Sequence, residues 1–406
     1  MYQQFNLEFC DEFHYPYKIK EDLMKILEVL PLSNLDSILI FGSTSRGELS
    51  YRINAKAQIE LFSDYEFLIV PKITCPVRRS FVRSKLSEIQ DSLGYENPFF
   101  HIDFSMRPVA SFRFMPKTIR TFEMKKTGKI IYGQDIKSNI PDVTLKNLDM
   151  GDINNLIMIR LTHLLFDIPK KSTEVNRLFL KYSLCRNALE IPTILLPHEG
   201  YLIASYKARV RFLHENFSKL KSRRYFPNSF PNFLENCLKG KLNLVFPDPL
   251  EDLYRSVLES YVILIKFIGN IKKSCSLSEL IQYLFDIKIP LIPRLLRQRV
   301  YETLYATRYF TVKGFKRHSI KRWISNHFRG LIIAFLLCMH YAMWEYMVGI
   351  DPCEKLSKAY RLLQSLLLKD FTFNDSDSFE VKWYQMRALY LSFLKDFDFF
   401  LGRSLK

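Results

Sequence analysis

The spacing of apolar and polar positions differs between two parts of this chain, and it changes near residue 150. In the first part, short apolar runs alternate with stretches of helical spacing, which indicates strands mixed with helices. Strands are predicted at residues 38–41, 65–70, 99–106 and 130–133, and helices at residues 18–30 and 77–93. This part of the chain is therefore expected to form a small sheet with flanking helices.

From residue 151 onward a period of about 3.6 dominates, which predicts an all-α body. Residues 225–249 are rich in Pro and Asn and predict a long loop or a domain boundary. The whole pattern predicts an α+β fold with domains at residues 1–145, 146–245 and 246–406. The helices predicted in this part are residues 152–166, 171–191, 202–217, 250–271, 276–287, 293–309, 320–348, 351–368 and 378–400.

The length of the chain agrees with several domains, and its net charge predicts a basic surface. A chain of 406 residues is too long for one core of ordinary size. Residues 1–140 carry 19 Lys and Arg against 17 Asp and Glu, so most of the net charge of +17 belongs to residues 141–406. Such an excess attracts polyanions such as nucleotides, nucleic acid or acidic lipid, or it simply solvates long helices.

Cysteine usage and the first residues predict a cytoplasmic protein. The seven cysteines are scattered without a close pair, which argues against a zinc site and against a disulfide framework. The chain starts without the basic residues and apolar run of a signal peptide. Residues 330–350 are long and apolar enough to be considered as a membrane span. His340 and Glu345 lie within them, and their insertion cost favours a buried helix over membrane attachment.

Acidic residues mark two of the predicted strands. The period of two puts Asp64 and Glu66 on one face at the start of the strand 65–70. Two carboxylates this close repel each other unless a cation lies between them, and oxygen ligands suit Mg²⁺ or Mn²⁺ rather than zinc. Asp103 lies in the strand 99–106 and would join them if the two strands are neighbours. His101, two residues earlier, would influence the chemistry of Asp103 or would only cap the end of the strand. The second, structural role is favoured.

A phosphate site is predicted where the first strand ends. Gly42 would let the backbone approach a ligand closely, and Ser43 offers a hydroxyl and an amide. Residues 44–51 contain no strong helix breaker except Gly47, so we expect a helix whose N-terminus favours negative charge. Arg46 would bind phosphate through two hydrogen bonds or pair with Glu48 or another acid, and both alternatives stay open.

These residues carry a resemblance to a known superfamily. The run Phe41-Gly42-Ser43-Thr44-Ser45-Arg46-Gly47-Glu48, then Ser63-Asp64-Tyr65-Glu66-Phe67-Leu68-Ile69-Val70, then His101-Ile102-Asp103, resembles the signature of DNA polymerase β-like nucleotidyltransferases. The nearest likeness is to the bacterial and archaeal small-substrate and minimal branch. The resemblance implies that Gly42 and Ser43 hold phosphate, that Asp64 and Glu66 bind two metal ions, and that Asp103 binds one ion and assists deprotonation of the acceptor hydroxyl.

The resemblance continues more weakly to about residue 215. It implies that residues 1–145 are catalytic and that residues 146–245 close the cleft. The basic, aromatic-rich helical domain predicted at residues 246–406 rests on its own charge and helical spacing, because the resemblance does not extend that far. Tyr182, Arg186 and Tyr201 fall where substrate would be faced, although an ion pair at a domain interface is favoured for Arg186. The interval between Ser43 and Asp64 is longer than in the family, so residues 50–61 predict an inserted turn or hairpin.

The expected reaction is transfer of a nucleoside monophosphate from an NTP to an acceptor hydroxyl, with two Mg²⁺ or Mn²⁺ ions. A small acceptor, such as a sugar or an aminoglycoside-like molecule, is favoured. The alternatives are an enzyme that modifies RNA or protein, and an inactive nucleotide-binding or interaction protein of the same fold. Residues 294–329 interleave basic and aromatic side chains, which allows RNA contact beside a plain structural role. The sequence leaves open the base, the acceptor, the oligomeric state and whether the chain is catalytically active.

Overall fold

The described chain forms two compact units. The computed structural model describes residues 5–54, 56–73, 77–95, 97–170, 173–247, 249–286, 328–367, 371–374 and 376–401. The sheet unit comprises residues 1–149, 200–215 and 238–245, and the helical unit comprises residues 150–199, 216–237 and 246–406. The division into three domains stays a prediction, and residues 150–245 are shared between the two units. The basic segment 294–327 and the helix predicted at 293–309 lie outside the described residues.

The sheet unit contains the four predicted strands, a further pair of short strands, and two helices that the sequence did not predict. Its α-helices are α1 (Glu8–Glu12), α2 (Tyr17–Glu28), α3 (Gly42–Ser45), α4 (Arg79–Ser92), α5 (Ile119–Thr127) and α8 (Tyr206–Asn216). The two helices that lie between α5 and α8 in the chain belong to the helical unit. Its strands are β1 (Leu35–Phe41), β2 (Tyr51–Ile53), β3 (Ile59–Leu61), β4 (Tyr65–Pro71), β5 (Ile102–Met106) and β6 (Lys129–Gly133).

Four strands form one mixed sheet in the order β5-β4-β1-β6. The central strand β1 is antiparallel to both β4 and β6, whereas β4 and β5 are parallel. Alternate residues of β1 and β4 enter two separate cores, as the period of two requires. One core contains apolar residues of α1, α2 and α4, and the other contains Phe112, Met124 of α5 and Ile136. The mixed sheet and the helical body confirm the α+β class.

The helix expected after Gly42 is only one turn long. It ends because Gly47 has a φ of +68°, a left-handed conformation that glycine adopts without strain. The amides of Arg46 and Glu48 both donate to the Ser43 carbonyl, at 3.3 and 3.0 Å, which closes the turn. The inserted residues 50–61 then form the antiparallel β2–β3 hairpin, one of the two forms that the sequence predicts.

The helical unit contains most of the predicted helices, and it corrects one prediction. Residues 225–249 are not a long loop, because they contain a helix in which Phe230, Leu234 and Cys237 are buried at helical spacing. Pro231 is tolerated there because it lies in the first turn. The described helices that lie wholly or partly in this unit are α6 (Met150–Asp167), α7 (Glu174–His198), α9 (Phe230–Asn243), α10 (Leu250–Ile268), α11 (Leu277–Asp286), α12 (Phe328–Met347), α13 (Cys353–Leu367) and α14 (Phe379–Leu401).

The apolar helix α12 packs within the helical unit against α6, α10, α11 and α13. Its window Gly330–Met347 has a mean hydropathy of 1.4 and is long enough to cross a membrane, and 72% of that window is buried inside the structure. A core helix has the same length and composition. His340 is fully buried: its Nε2–H donates to the Leu161 carbonyl at 2.8 Å, and its Nδ1 accepts from the Tyr254 hydroxyl at 2.7 Å.

Burial lowers the pKa of His340 from 6.5 to about 4. Between these pH values the unfolded chain binds a proton that the folded chain does not, so acidification should lower the free energy of unfolding. In His340→Leu this dependence should be lost. The variant should also be less stable by about 2–4 kcal/mol at pH 7, because the Leu161 carbonyl and the Tyr254 hydroxyl lose their partner.

Urea denaturation followed by the emission of Trp344 and Trp383, which lie in the helical unit, measures both effects. Equal loss of stability between pH 7 and pH 5 in the two proteins would contradict the role assigned to His340. Tyr254→Phe is the control, because it removes one hydrogen bond and keeps the imidazole.

Candidate functional site

Three carboxylates meet at one edge of the sheet. The parallel pairing of β4 and β5 puts Glu66 directly opposite Asp103, and residues opposite each other point to the same face. Asp64 immediately precedes β4 and shares that face with Glu66, because the two are separated by one residue. The side chains are 16%, 21% and 39% exposed for Asp64, Glu66 and Asp103, so Asp103 is the most accessible of the three.

An imidazole completes this group. His101 Nε2 lies 3.5 Å from Asp64 Oδ2 and 3.5 Å from Asp103 Oδ2. One ligand atom from each of these residues lies within 4.8 Å of the other two, so the group could hold a metal ion. The sequence favoured a structural role for His101. Its spacing of two residues from Asp103 was the available signal that it belongs to the same face.

Glu66 lies between a glycine and an arginine. A Cβ at Gly42 would come within 1.9 Å of Glu66 Oε2, and Gly42 has a φ of +74°, so no other residue fits without displacing the carboxylate. Arg120 of α5 donates from Nη2 to Glu66 Oε1 at 3.1 Å and lies over the Phe41 ring, 5.0 Å from its centre. Arg120 was not anticipated, because nothing local in the sequence connects α5 to β4.

Burial raises the pKa of Glu66, the negative charge of Asp64 raises it further, and Arg120 opposes both effects. The carboxylates therefore share an environment that disfavours full ionisation unless positive charge is added.

The turn that follows β1 is fixed beside these residues. The Tyr15 hydroxyl donates to the Thr44 carbonyl at 2.9 Å, and Thr44 Oγ1 lies 3.5 Å from the Asp64 carbonyl. Ser45 Oγ donates back to the Gly42 carbonyl at 3.1 Å. Ser43 is different, since its hydroxyl is buried and has no hydrogen-bond partner among the residues that the structure describes. Such an orphaned hydroxyl is unusual in a folded protein and is available to a ligand.

Arg46 forms ion pairs, the second of the two alternatives that the sequence left open. Its side chain is 6% exposed, with Nε 2.8 Å from Glu48 Oε2 and Nη1 3.2 Å from Glu123 Oε2. Burial disfavours its charge, but Glu123 and Glu48 outweigh this and raise the pKa of Arg46 above its ordinary value. Arg209 of α8 also pairs with Glu123. Arg46 is therefore committed to a buried ion-pair network, and this placement does not favour phosphate binding.

The same network ties the turn to later parts of the sheet unit. Glu48 is fully buried and accepts from the Lys207 amide at 2.8 Å. Lys241 Nζ donates to the Glu48 carbonyl at 2.5 Å and to Ser50 Oγ at 3.0 Å. Residues from α8 and from the end of α9 thus hold the chain that links Gly42 to the β2–β3 hairpin.

The three residues predicted to face substrate are distributed between the units. Tyr182 and Arg186 lie on α7 in the helical unit, and Tyr201 belongs to the sheet unit. Tyr182 is 1% exposed, a burial that does not favour substrate contact. Arg186 lowers the pKa of Asp167 within its own unit, although burial leaves that pKa raised overall. Tyr201 is 40% exposed, and its ring lies 4.5 Å from the ring of Phe212.

The site thus combines oxygen and nitrogen atoms that could ligate a metal with an accessible arginine and a buried hydroxyl that no described residue bonds. Such a set can bind a divalent cation and an anion beside it. Comparison with protein-family models, with curated proteins and with solved structures gives no match to this chain.

The pKa of Glu66 is the measurable consequence of this arrangement. In metal-free protein, burial and Asp64 should raise it from 4.5 to about 7, Asp64→Asn should lower it, and Arg120→Gln should raise it further. The folded chain then holds a proton that the unfolded chain releases, so this group's contribution to the free energy of unfolding falls as the pH rises through that window.

A ¹³C NMR titration of the glutamate carboxyls in the presence of a chelator measures the value. Asp91→Asn, at an exposed position on α4, should leave it unchanged. A Glu66 carboxyl that titrates at its ordinary value in all four proteins would refute the electrostatic account.

Proposed function

We propose that this chain is a metal-dependent nucleotidyltransferase that transfers a nucleoside monophosphate from an NTP to an acceptor hydroxyl. The observation that carries the proposal is the register of β4 and β5, which brings Asp64, Glu66 and Asp103 to one face beside Gly42. Such a reaction requires carboxylates that converge on one face to hold metal ions, and here they converge beside the turn that begins at Gly42. The resemblance of the sequence to DNA polymerase β-like nucleotidyltransferases agrees with this reaction.

The residues present fit the groups that the reaction needs. Asp64, Glu66 and Asp103 offer oxygen ligands for Mg²⁺ or Mn²⁺, two ions in the expected stoichiometry. Bound ions would neutralise charge on the phosphates and polarise the attacking oxygen. The Glu66 carboxylate occupies the space that a Cβ at Gly42 would take, so the Gly42 backbone lies directly beside a carboxylate, and the Ser43 hydroxyl supplies a donor that no described residue uses.

In this proposal the acceptor hydroxyl oxygen forms a bond to the α-phosphorus, and the bond between the α-phosphorus and the bridging oxygen breaks. Pyrophosphate leaves with the electron pair of that bond. The resemblance to DNA polymerase β-like nucleotidyltransferases assigns the acceptance of the hydroxyl proton to Asp103. Asp64 and Glu66 would hold the metal ions that neutralise charge on the phosphates.

Arg120 takes the role that the sequence offered to Arg46. Its guanidinium is 55% exposed and already lies 3.1 Å from Glu66, so it can donate to a phosphate bound at the same edge. Arg46 is buried and paired, and it positions the turn instead. The acceptor, favoured by the sequence to be a small molecule, stays a prediction, as does cytoplasmic location.

Loss of the carboxylates should abolish turnover. Asp64→Asn and Asp103→Asn should each reduce pyrophosphate release at least about 100-fold, because each removes a ligand or the proton acceptor while keeping side-chain volume. The assay incubates the full chain with each labelled NTP, Mg²⁺ or Mn²⁺, and a cell lysate as the source of acceptors. Asp91→Asn is the matched control on the exposed face of α4.

Transfer of label by the wild type that survives in both active-site variants would contradict the assignment. Nucleotide binding by the wild type without any transfer would favour an inactive nucleotide-binding protein.

Two neighbouring serines separate ligand binding from stability. Ser43→Ala should lower nucleotide affinity about 3- to 30-fold with little change in stability, since its hydroxyl has no partner in the folded chain. Ser45→Ala should instead lower stability by about 1 kcal/mol, because it removes the hydrogen bond to the Gly42 carbonyl. Isothermal titration with a non-hydrolysable nucleotide and thermal denaturation measure the two effects. Unchanged affinity in Ser43→Ala would remove Ser43 from the binding site.

A further inference from the structure

His101 gives the carboxylate site a nitrogen ligand, and this changes which ions the site should prefer. The imidazole lies between two carboxylates that belong to different strands, 3.5 Å from each. A protonated ring in this position pairs with both carboxylates, whereas a neutral ring can offer a nitrogen lone pair to an ion held between them.

The other ring nitrogen is already engaged. Nδ1 lies 3.3 Å from the Phe99 carbonyl, and because a carbonyl can only accept, this contact is a hydrogen bond in the tautomer that carries its proton on Nδ1. In neutral histidine this leaves the lone pair on Nε2, the atom that lies near Asp64 and Asp103. A hydrogen bond from one ring nitrogen to a backbone carbonyl is the usual way in which a metal-binding histidine is oriented.

The backbone around His101 is fixed as well. Its carbonyl accepts from the Tyr65 amide at 3.1 Å, and the next amide, of Ile102, donates to Gln90 Oε1 of α4 at 2.7 Å. The imidazole is thus held at the sheet edge by β4 on one side and α4 on the other. A rigidly placed ligand loses little conformational entropy when an ion binds.

The separations also agree with a shared ion. Two ligand atoms with bonds of about 2.1 Å to one ion are about 3.4 Å apart in a tetrahedral site and about 3.0 Å apart in an octahedral one. The observed 3.5 Å is closer to the tetrahedral value. Imidazole nitrogen is a favourable ligand for transition ions, whereas Mg²⁺ prefers oxygen and six-coordination.

We propose that Asp64, His101 and Asp103 form a mixed nitrogen and oxygen site that binds a divalent transition-metal ion in preference to Mg²⁺. This inference rests on the proposed function, because it concerns the same carboxylates, and it specifies the ion that one of its metal positions takes. It also revises the expectation from sequence that the ligands are oxygen atoms alone.

The test uses Co²⁺ as the probe, because its visible absorption reports imidazole ligation and coordination number. Full-length protein without an affinity tag is titrated with Co²⁺ by absorption and calorimetry, in the absence of nucleotide, and Mg²⁺ is then added as a competitor. Wild type should bind Co²⁺ and retain it against a large excess of Mg²⁺. His101→Asn should bind Co²⁺ at least about tenfold more weakly and change its Mg²⁺ affinity less than about twofold.

His14→Asn is the matched control, because His14 is an exposed histidine of the same unit with a φ of 53° that asparagine tolerates. It should behave like wild type. Circular dichroism of each variant shows whether a loss of binding reflects unfolding. Should His101→Asn fail to fold, His101→Gln repeats the comparison.

Each outcome decides the proposal. Equal Co²⁺ affinity in wild type and His101→Asn, or an equal loss for Co²⁺ and Mg²⁺, overturns it. Absence of Co²⁺ binding by the wild type overturns the inference, and the proposed function is then decided separately by the pyrophosphate-release assay. Imidazole-dependent Co²⁺ binding by a protein that neither binds nucleotide nor releases pyrophosphate supports the inference and refutes the proposed function.

Discussion

Electrostatic repulsion between three carboxylates is the constraint around which the sheet unit is organised. Asp64, Glu66 and Asp103 would move apart if the chain allowed it, and backbone pairing between β4 and β5 prevents this. The negative potential at this edge is therefore a property of the sheet itself. Arg120 compensates for part of it by pairing with Glu66, and the His101 ring lies 3.5 Å from the other two carboxylates.

A second group of charges, which is buried, holds the turn beside the carboxylates. Glu48 and Glu123 are paired with Arg46 and Arg209, and removal of one partner from such a network leaves an uncompensated buried charge. Arg209 belongs to a segment that follows α7, far along the chain from the turn. The compact sheet unit therefore includes residues 200–215 and 238–245, and a fragment that ends near residue 149 would lack Arg209, which pairs with Glu123, and the Lys207 amide, which donates to Glu48.

The parts of the fold that depend on local pattern could be predicted from the sequence. The apolar runs of β1 and β4 are long enough to be identified as strands from the sequence. The period of two along a strand then predicts that Asp64 and Glu66 share a face. The role of Arg46 could not be decided, because its partner Glu123 lies 77 residues away. Arg120 was missed for the same reason. The one-turn length of α3 depends on Gly47, and helix α9 was obscured by prolines that tertiary packing of Phe230 and Leu234 accommodates.

The β2–β3 hairpin adds residues to the chain between the Gly42 turn and Asp64, yet the turn and Asp64 remain in contact. Its base is closed by the Ser50 amide, which donates to Ser63 Oγ at 3.0 Å, and by the Phe62 amide, which donates to the Ser50 carbonyl at 2.8 Å. The chain therefore leaves and returns at nearly one point, next to the contact between Thr44 and Asp64. Residues can be gained or lost at the tip without moving either the turn or the carboxylates. The number of residues between the Gly42 turn and Asp64 can therefore change during evolution without a change in the geometry of the site.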